Sequence, residues 1–107
     1  MNAKELLKTF ETRIKTDTLA ADETGIFHFQ LSGEGGGDFT VELKDKKVKV
    51  KEGLSGTPTC EIKAKADDYI ALETGKLSPQ WAFMMGKVKV SSLSELMKFA
   101  AHFTKLK

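Results

Sequence analysis

The chain has 107 residues, 40% of them hydrophobic and 30% charged, with a formal net charge of +2. A chain of this size hides about two-thirds of its unfolded surface on folding, enough for one domain and one core. The composition excludes a disordered chain, the near-balance of charge argues against a dedicated nucleic-acid binder, and a single cysteine, Cys60, excludes a disulfide scaffold.

Ala3, Leu6, Leu7, Phe10 and Ile14 fall at helical spacing, with Lys4, Lys8, Glu11 and Lys15 on other faces, which predicts an amphipathic first helix. Asn2 is its expected cap, with Glu5 placed to bond back. A polar stretch from Lys15 to Gly25 ends it. From Ile26 the pattern alternates. Phe27, Phe29 and Leu31, then Phe39, Val41 and Leu43, then Val48 and Val50 share one phase against polar neighbours. The turns at Gly33–Gly37 and Asp45-Lys46 join them into an antiparallel meander with one apolar face. After a loop from Glu52 to Pro58, Cys60, Ile62 and Ala64 form the inward side of a fourth strand.

Asp67 or Asp68 is the expected cap of a short helix through Leu72, stopped near Gly75. Ser78-Pro79 opens a second helix that closes at Gly86 and is apolar nearly all round. Lys87–Val90 is a fifth strand, and Ser92 with Glu95 forms a capping box for a last helix carrying Leu93, Leu96, Met97, Ala100 and Phe103. The order reads as an α+β layered domain, a sheet with helices laid over one face.

Membrane insertion has no support: the longest apolar run is Trp81–Met85, against about 18 residues needed to span. The start Met1-Asn2-Ala3-Lys4-Glu5 lacks a secretion-signal core, and the ending Thr104-Lys105-Leu106-Lys107 fails the S-K-L pattern. With a free thiol, these features predict a cytoplasmic protein.

Candidate chemistry is sparse. His28, His102 and Cys60 are the only soft metal ligands, and none has zinc-motif spacing. Cys60 shares the inward phase of Ile62, whereas His28 is on the outward phase, so the two are expected on opposite sides of the sheet with no activated thiolate. The Gly33–Gly37 cluster lacks the G-x-G-x-x-G pattern and precedes a strand, so it reads as a hairpin turn. No cofactor motif is present. Lys47, Lys49, Lys51, Lys63, Lys65, Lys87 and Lys89 all alternate with inward residues. They read as a solvated face, or alternatively as a transient contact with anionic lipid. No aromatic is interleaved with them to stack bases, so no nucleic-acid partner is expected.

Residues 66–90 resemble the signature of the sterol carrier protein type 2 family, roughly D-x-ϕ-x-x-ϕ-x-x-G-K-ϕ-x-P-x-x-A-F-x-x-G-K-ϕ-K-ϕ with ϕ apolar. Asp68, Gly75, Lys76, Pro79, Ala82, Phe83, Gly86, Lys87 and Lys89 match it. The first helix and the strands at Ile26–Phe29 and Thr59–Ile62 follow in the family's order; Ser92 stands where the family usually has glycine. The resemblance implies a five-stranded mixed, mainly antiparallel sheet with helices covering one face and an apolar tunnel between the layers, in one domain over 1–107. It implies a non-catalytic carrier of a sterol, fatty acid, acyl-CoA or similar lipid. The alternative is a non-catalytic dimerisation or substrate-presenting module of a lipid-metabolising enzyme.

On that implication the expected lining is Phe27, Phe29, Leu31, Phe39, Val41 and Ile62 from the sheet. Gln80, Trp81, Phe83, Met84, Met85, Leu96, Met97, Phe99 and Phe103 are expected from the helices. Gln80 and backbone amides near Gly75 are expected to orient a polar head. Leu7, Phe10 and the lysine face are expected to touch a bilayer, and the protein to be a monomer or weak dimer. A dry apolar void of roughly 300 Å³ would cost about 7 kcal/mol, so the tunnel is expected to be filled or partly collapsed. A charge placed at Phe83 or Met84 is expected to abolish lipid binding.

Overall fold

A computed structural model describes residues 2–15, 17, 19 and 22–103. Met1, the ending at 104–107 and part of the polar stretch after Lys15 lie outside the described residues. The capping box at the start forms as expected: Asn2 Oδ1 accepts the Glu5 amide at 2.9 Å, and Glu5 Oε1 accepts the Asn2 amide at 3.1 Å. The helix it opens is broken. Helix α1 spans Ala3–Lys8 and α2 spans Phe10–Arg13, with Thr9 between them. Both the amide and the hydroxyl of Thr9 donate to the Leu6 carbonyl, a tighter turn in which the side chain competes for the helical acceptor. The apolar residues on both pieces, Ala3, Leu6, Leu7 and Phe10, are buried.

Strands β1 (Gly25–Ser32), β2 (Gly37–Lys44) and β3 (Lys47–Glu52) form the meander. The β2–β3 turn sets Asp45 and Lys46 at φ 53° and 61°, the paired left-handed conformation of a type I′ hairpin. Strand β4 (Cys60–Lys65) lies parallel beside β1, Phe27 opposite Cys60 and Phe29 opposite Ile62. Strand β5 (Val88–Val90) pairs antiparallel with β4, giving the order β3-β2-β1-β4-β5. The sheet is therefore mixed and mainly antiparallel, and the fold is α+β.

Helices α3 (Ala66–Glu73), α4 (Pro79–Met84) and α5 (Leu93–Ala100) join α1 and α2 over the inner face. Neither Asp67 nor Asp68 caps α3; the helix starts at Ala66 after Lys65, and both aspartates sit in its first turn, where they complement the dipole. Ser92 Oγ accepts the Glu95 amide at 3.4 Å, but the Glu95 carboxylate lies 3.7 Å from Lys98 Nζ instead of returning to the cap.

The outer face departs from a uniformly solvated surface. Because β4 lies beyond β1, the connection from β3 must cross the sheet, and residues 53–59 do so as a strap. Thr40 Oγ1 donates to the Gly53 carbonyl at 2.8 Å and accepts the Ser55 amide at 3.0 Å. His28 Nε2 meets the Ser55 carbonyl at 2.8 Å, and the Thr59 amide donates to the Ile26 carbonyl at 2.7 Å. His28 and Thr40, on the outward polar phase, are consequently buried under the strap. Cys60 and His28 do face opposite sides, since Cys60 is opposite Phe27 and His28 opposite Glu61. The Cys60 thiol is buried, 3.4 Å from the Ser92 carbonyl.

Thr40→Val leaves two strap groups without their partner, and urea unfolding should show a loss of about 1–3 kcal/mol. An unchanged midpoint would mean that the strap does not depend on Thr40.

Candidate functional site

The helices do not seal the inner face. Between the sheet and helices α2 to α5 lies a cleft of about 630 Å³, within the roughly 300–1,000 Å³ usual for small-ligand sites. Phe10 and Phe29 line it together with Leu72, Leu77 and Phe83, and Leu96, Met97, Phe99 and Phe103 come from α5 and the residues after it. The aromatic rings brace one another. Phe10 and Phe103 have centroids 4.9 Å apart, Phe99 and Phe103 4.7 Å, and Phe29 and Tyr69 5.4 Å edge to face. Behind them Phe27 stacks on Phe99 at 4.0 Å.

One corner of the lining is polar. Tyr69 and Glu73, one helical turn apart on α3, are joined by a 2.8 Å hydrogen bond from the Tyr69 hydroxyl to Glu73 Oε1. The Arg13 guanidinium lies 3.5 Å from Glu73 Oε2 and 4.9 Å above the Phe10 ring, and its Nε donates to Thr9 Oγ1 at 3.0 Å. Burial first, and the Glu73 carboxylate second, push the Tyr69 hydroxyl well above its ordinary value, so at neutral pH it is a proton donor. Thr74 and Ser78 add hydroxyls to the lining.

Of the residues expected at a ligand, Phe29, Phe83, Leu96, Met97, Phe99 and Phe103 come together in this cleft. Phe27, Phe39, Val41 and Ile62 lie on the inner face in closed core, and Leu31 lies at the end of β1 away from the cleft, each 4% exposed or less. Gln80, Trp81, Met84 and Met85 do not line the cleft. The expectation that Trp81, Met84 and Met85 face the sheet is corrected: Ala82 is buried and Phe83 half-buried, while Trp81, Met84 and Met85 are 51%, 75% and 55% exposed. A six-residue helix at the surface has one side to bury. Nor are the amides near Gly75 open to a head group. Gly75 donates to Leu72, and Lys76 and Leu77 both donate to the Ala71 carbonyl.

The space between the layers is a partly open cleft, and the bulky Trp81, Met84 and Met85 lie outside its lining. Sequence reasoning missed Arg13, Tyr69 and Glu73. The pairing of Tyr69 with Glu73 is visible as a one-turn spacing, and Arg13 is the sole arginine among 17 lysines and arginines.

Elsewhere, His102 pairs with Glu23. Among the described residues, no group of three or more His, Cys, Asp or Glu is arranged to hold a metal, and no helix is long and apolar enough to cross a membrane.

The chain belongs to the SCP-2 sterol transfer family, which it matches over residues 3–103. It is 39% identical to human Sterol carrier protein 2 over 70 residues, 63% of this chain and 13% of that protein. To human Hydroxysteroid dehydrogenase-like protein 2 it is 37% identical over 83 residues, 73% of this chain and 20% of that one. The chain thus spans about a fifth or less of these curated relatives.

Among solved structures, apo Sterol Carrier Protein 2 from Yarrowia lipolytica is 30% identical, with a TM-score of 0.53 over 72% of this chain and 62% of that one. Palmitated SCP2L2 from Aedes aegypti aligns over 100% of both chains with a TM-score of 0.67 at 17% identity. The sec-alkylsulfatase Pisa1 from Pseudomonas sp. aligns with a TM-score of 0.81 at 14% identity, covering 100% of this chain and 17% of that one. The last two likenesses establish the fold alone.

Tyr69 is the one tyrosine of the chain, so tyrosinate absorbance reports this corner directly. An unfolded tyrosine ionises near pH 10 and the folded one higher, so stability falls as pH rises above about 10. Absorbance should change only together with unfolding, and Tyr69→Phe should remove its share of the alkaline loss. Ionisation near pH 10 in the folded protein would contradict the burial assigned to this hydroxyl.

Proposed function

We propose that the chain is a non-catalytic carrier, a single domain over its 107 residues. It shields the hydrocarbon of a sterol, fatty acid, acyl-CoA or similar lipid in the cleft and passes it to membranes or enzymes. The observation that carries this reading is the cleft itself: aromatic and aliphatic walls with one charged corner at Arg13, Tyr69 and Glu73. An amphiphile buries its chain against Phe29, Phe83 and Phe99 and leaves its polar head at that corner. At roughly −0.3 kcal/mol per heavy atom, a ligand of about 20–28 atoms binds with about −6 to −8 kcal/mol, a micromolar Kd suited to exchange.

Transient bilayer contact belongs to the same proposal. Leu7 and Phe10 cannot supply it, since they are 0% and 4% exposed. Apart from Leu54 on the strap, the exposed large apolar residues lie instead on α4, its cap Met85 and α5: Trp81, Met84, Met85, Leu93 and Met97. Met97 belongs both to this surface and to the cleft lining, so a lipid leaving the cleft passes it. The protein is proposed to act in the cytoplasm as a monomer or weak dimer, and the reduced Cys60 fits that compartment.

A second reading rests on the relatives' lengths. A domain that makes up about a fifth of human Hydroxysteroid dehydrogenase-like protein 2 can serve as a dimerisation or substrate-presenting module. The dimerisation role requires a concentration-dependent dimer in sedimentation with no exchangeable ligand; a monomer that exchanges lipid excludes that role.

Phe83→Asp puts a charge into the cleft and should weaken palmitate binding by at least about tenfold in a fluorescent fatty-acid displacement assay. Met84→Glu should leave that affinity unchanged and slow delivery to vesicles, because Met84 lies outside the cleft. Equal binding by Phe83→Asp and the parent protein would remove the cleft as the ligand site.

A further inference from the structure

The lysine-bearing face of the sheet does not carry its charge evenly. Toward β3, Lys49 is opposite Glu42 and Lys51 Nζ lies 4.0 Å from Glu42 Oε1, and the like-charged pair Lys44–Lys47 sits at the hairpin end. Toward β5 the pairing is like with like. Lys63 is directly opposite Lys89, and Lys65 and Lys87 flank the next pair, Ala64–Val88. Like charges facing across strands destabilise a sheet. Lys87 Nζ lies 3.7 Å from Asp68 Oδ1, but among the described residues no ion pair is formed by Lys63, Lys65 or Lys89.

These four lysines line a second concavity of about 620 Å³, where β1 and β4 end and β5 begins. Gln30 and Ser32 add an amide and a hydroxyl to its wall, and Asp38 and Asp68 are its acidic members. Four ammoniums against two carboxylates leave two positive charges, which one phosphate dianion neutralises. No aromatic side chain lines the concavity, so it has no platform for stacking a nucleic-acid base. We propose that it binds a phosphate group, borne by a lipid headgroup or by a small soluble phosphate compound. Lysine serves such a group as a point charge, and several converging ammoniums hold it without a fixed fork geometry. The site shares no lining residue with the apolar cleft, so it stands or falls independently of the carrier reading.

The test compares two exposed double variants of the full chain, each with the same charge removed and each checked for native circular dichroism. Lys63→Gln/Lys89→Gln removes the facing pair, and Lys47→Gln/Lys49→Gln removes lysines at the far side of the same face. Pyrophosphate titrated calorimetrically probes a soluble source, and flotation with phosphatidylcholine vesicles containing phosphatidic acid probes a headgroup. Saturable binding of at least one probe is expected, weakened about tenfold or more by the first variant and less than about twofold by the second. Pyrophosphate binding assigns the soluble source; binding of the vesicles alone assigns the headgroup. Absence of saturable binding by both probes, or equal losses in the two variants, overturns the proposal, and lipid uptake by the cleft is unaffected in either case.

Discussion

The parallel pairing of β1 with β4 is the constraint on which the rest of the structure depends. It sets Cys60 and Ile62 beside Phe27 and Phe29, which completes the apolar floor on which the helices rest. It forces the β3–β4 connection across the outer face, where Thr40 and His28 hold it down. The chain leaves β4 straight into α3, so Tyr69 and Glu73 arrive above that floor, close to Phe29 and Arg13. An antiparallel return of β4 would need no such strap and would start α3 from the other end of the sheet.

Core and cleft are made of the same residue types and differ in what covers them. Helices α1 and α2 close over the β2–β3 side, and Phe39, Val41 and Val50 are buried there as plain core. Toward α5 the cover is looser. The cluster of Phe10, Phe99 and Phe103 gives the cleft a rigid aromatic side, while Met97, 62% exposed, supplies an adaptable rim. A rigid wall and a pliable edge suit the carrier proposed above. The Arg13 and Glu73 charges are paired at 3.5 Å and Tyr69 donates to Glu73, so the cleft contains a paired polar group and not a bare charge.

Periodicity makes the element order readable in the sequence. The alternation from Phe27 to Val50 and the capping pairs at Asn2-Glu5 and Ser92-Glu95 mark elements that the structure contains at nearly those positions. The signature from Asp68 to Lys89 identifies the family. What periodicity does not carry is which apolar face remains uncovered. Val41 and Phe29 share one alternation phase, yet one is sealed core and the other lines the cleft. Trp81, Met84 and Met85 look like core by composition but face outward, because α4 is short and presents only Ala82 and Phe83 to the interior. His28 does lie on the outer face, as its phase indicates, but a strap from distant sequence covers that position, which periodicity does not carry.

Uptake of lipid by the cleft is tested most directly by native mass spectrometry of the protein as purified and after incubation with palmitate or cholesterol, followed by extraction and identification of any released molecule. A carrier is expected to show a one-to-one complex, either already present or formed with an added lipid, that exchanges when a competitor is supplied. Protein that emerges bare and takes up neither lipid would contradict the carrier function and leave the interaction module as the role of this domain.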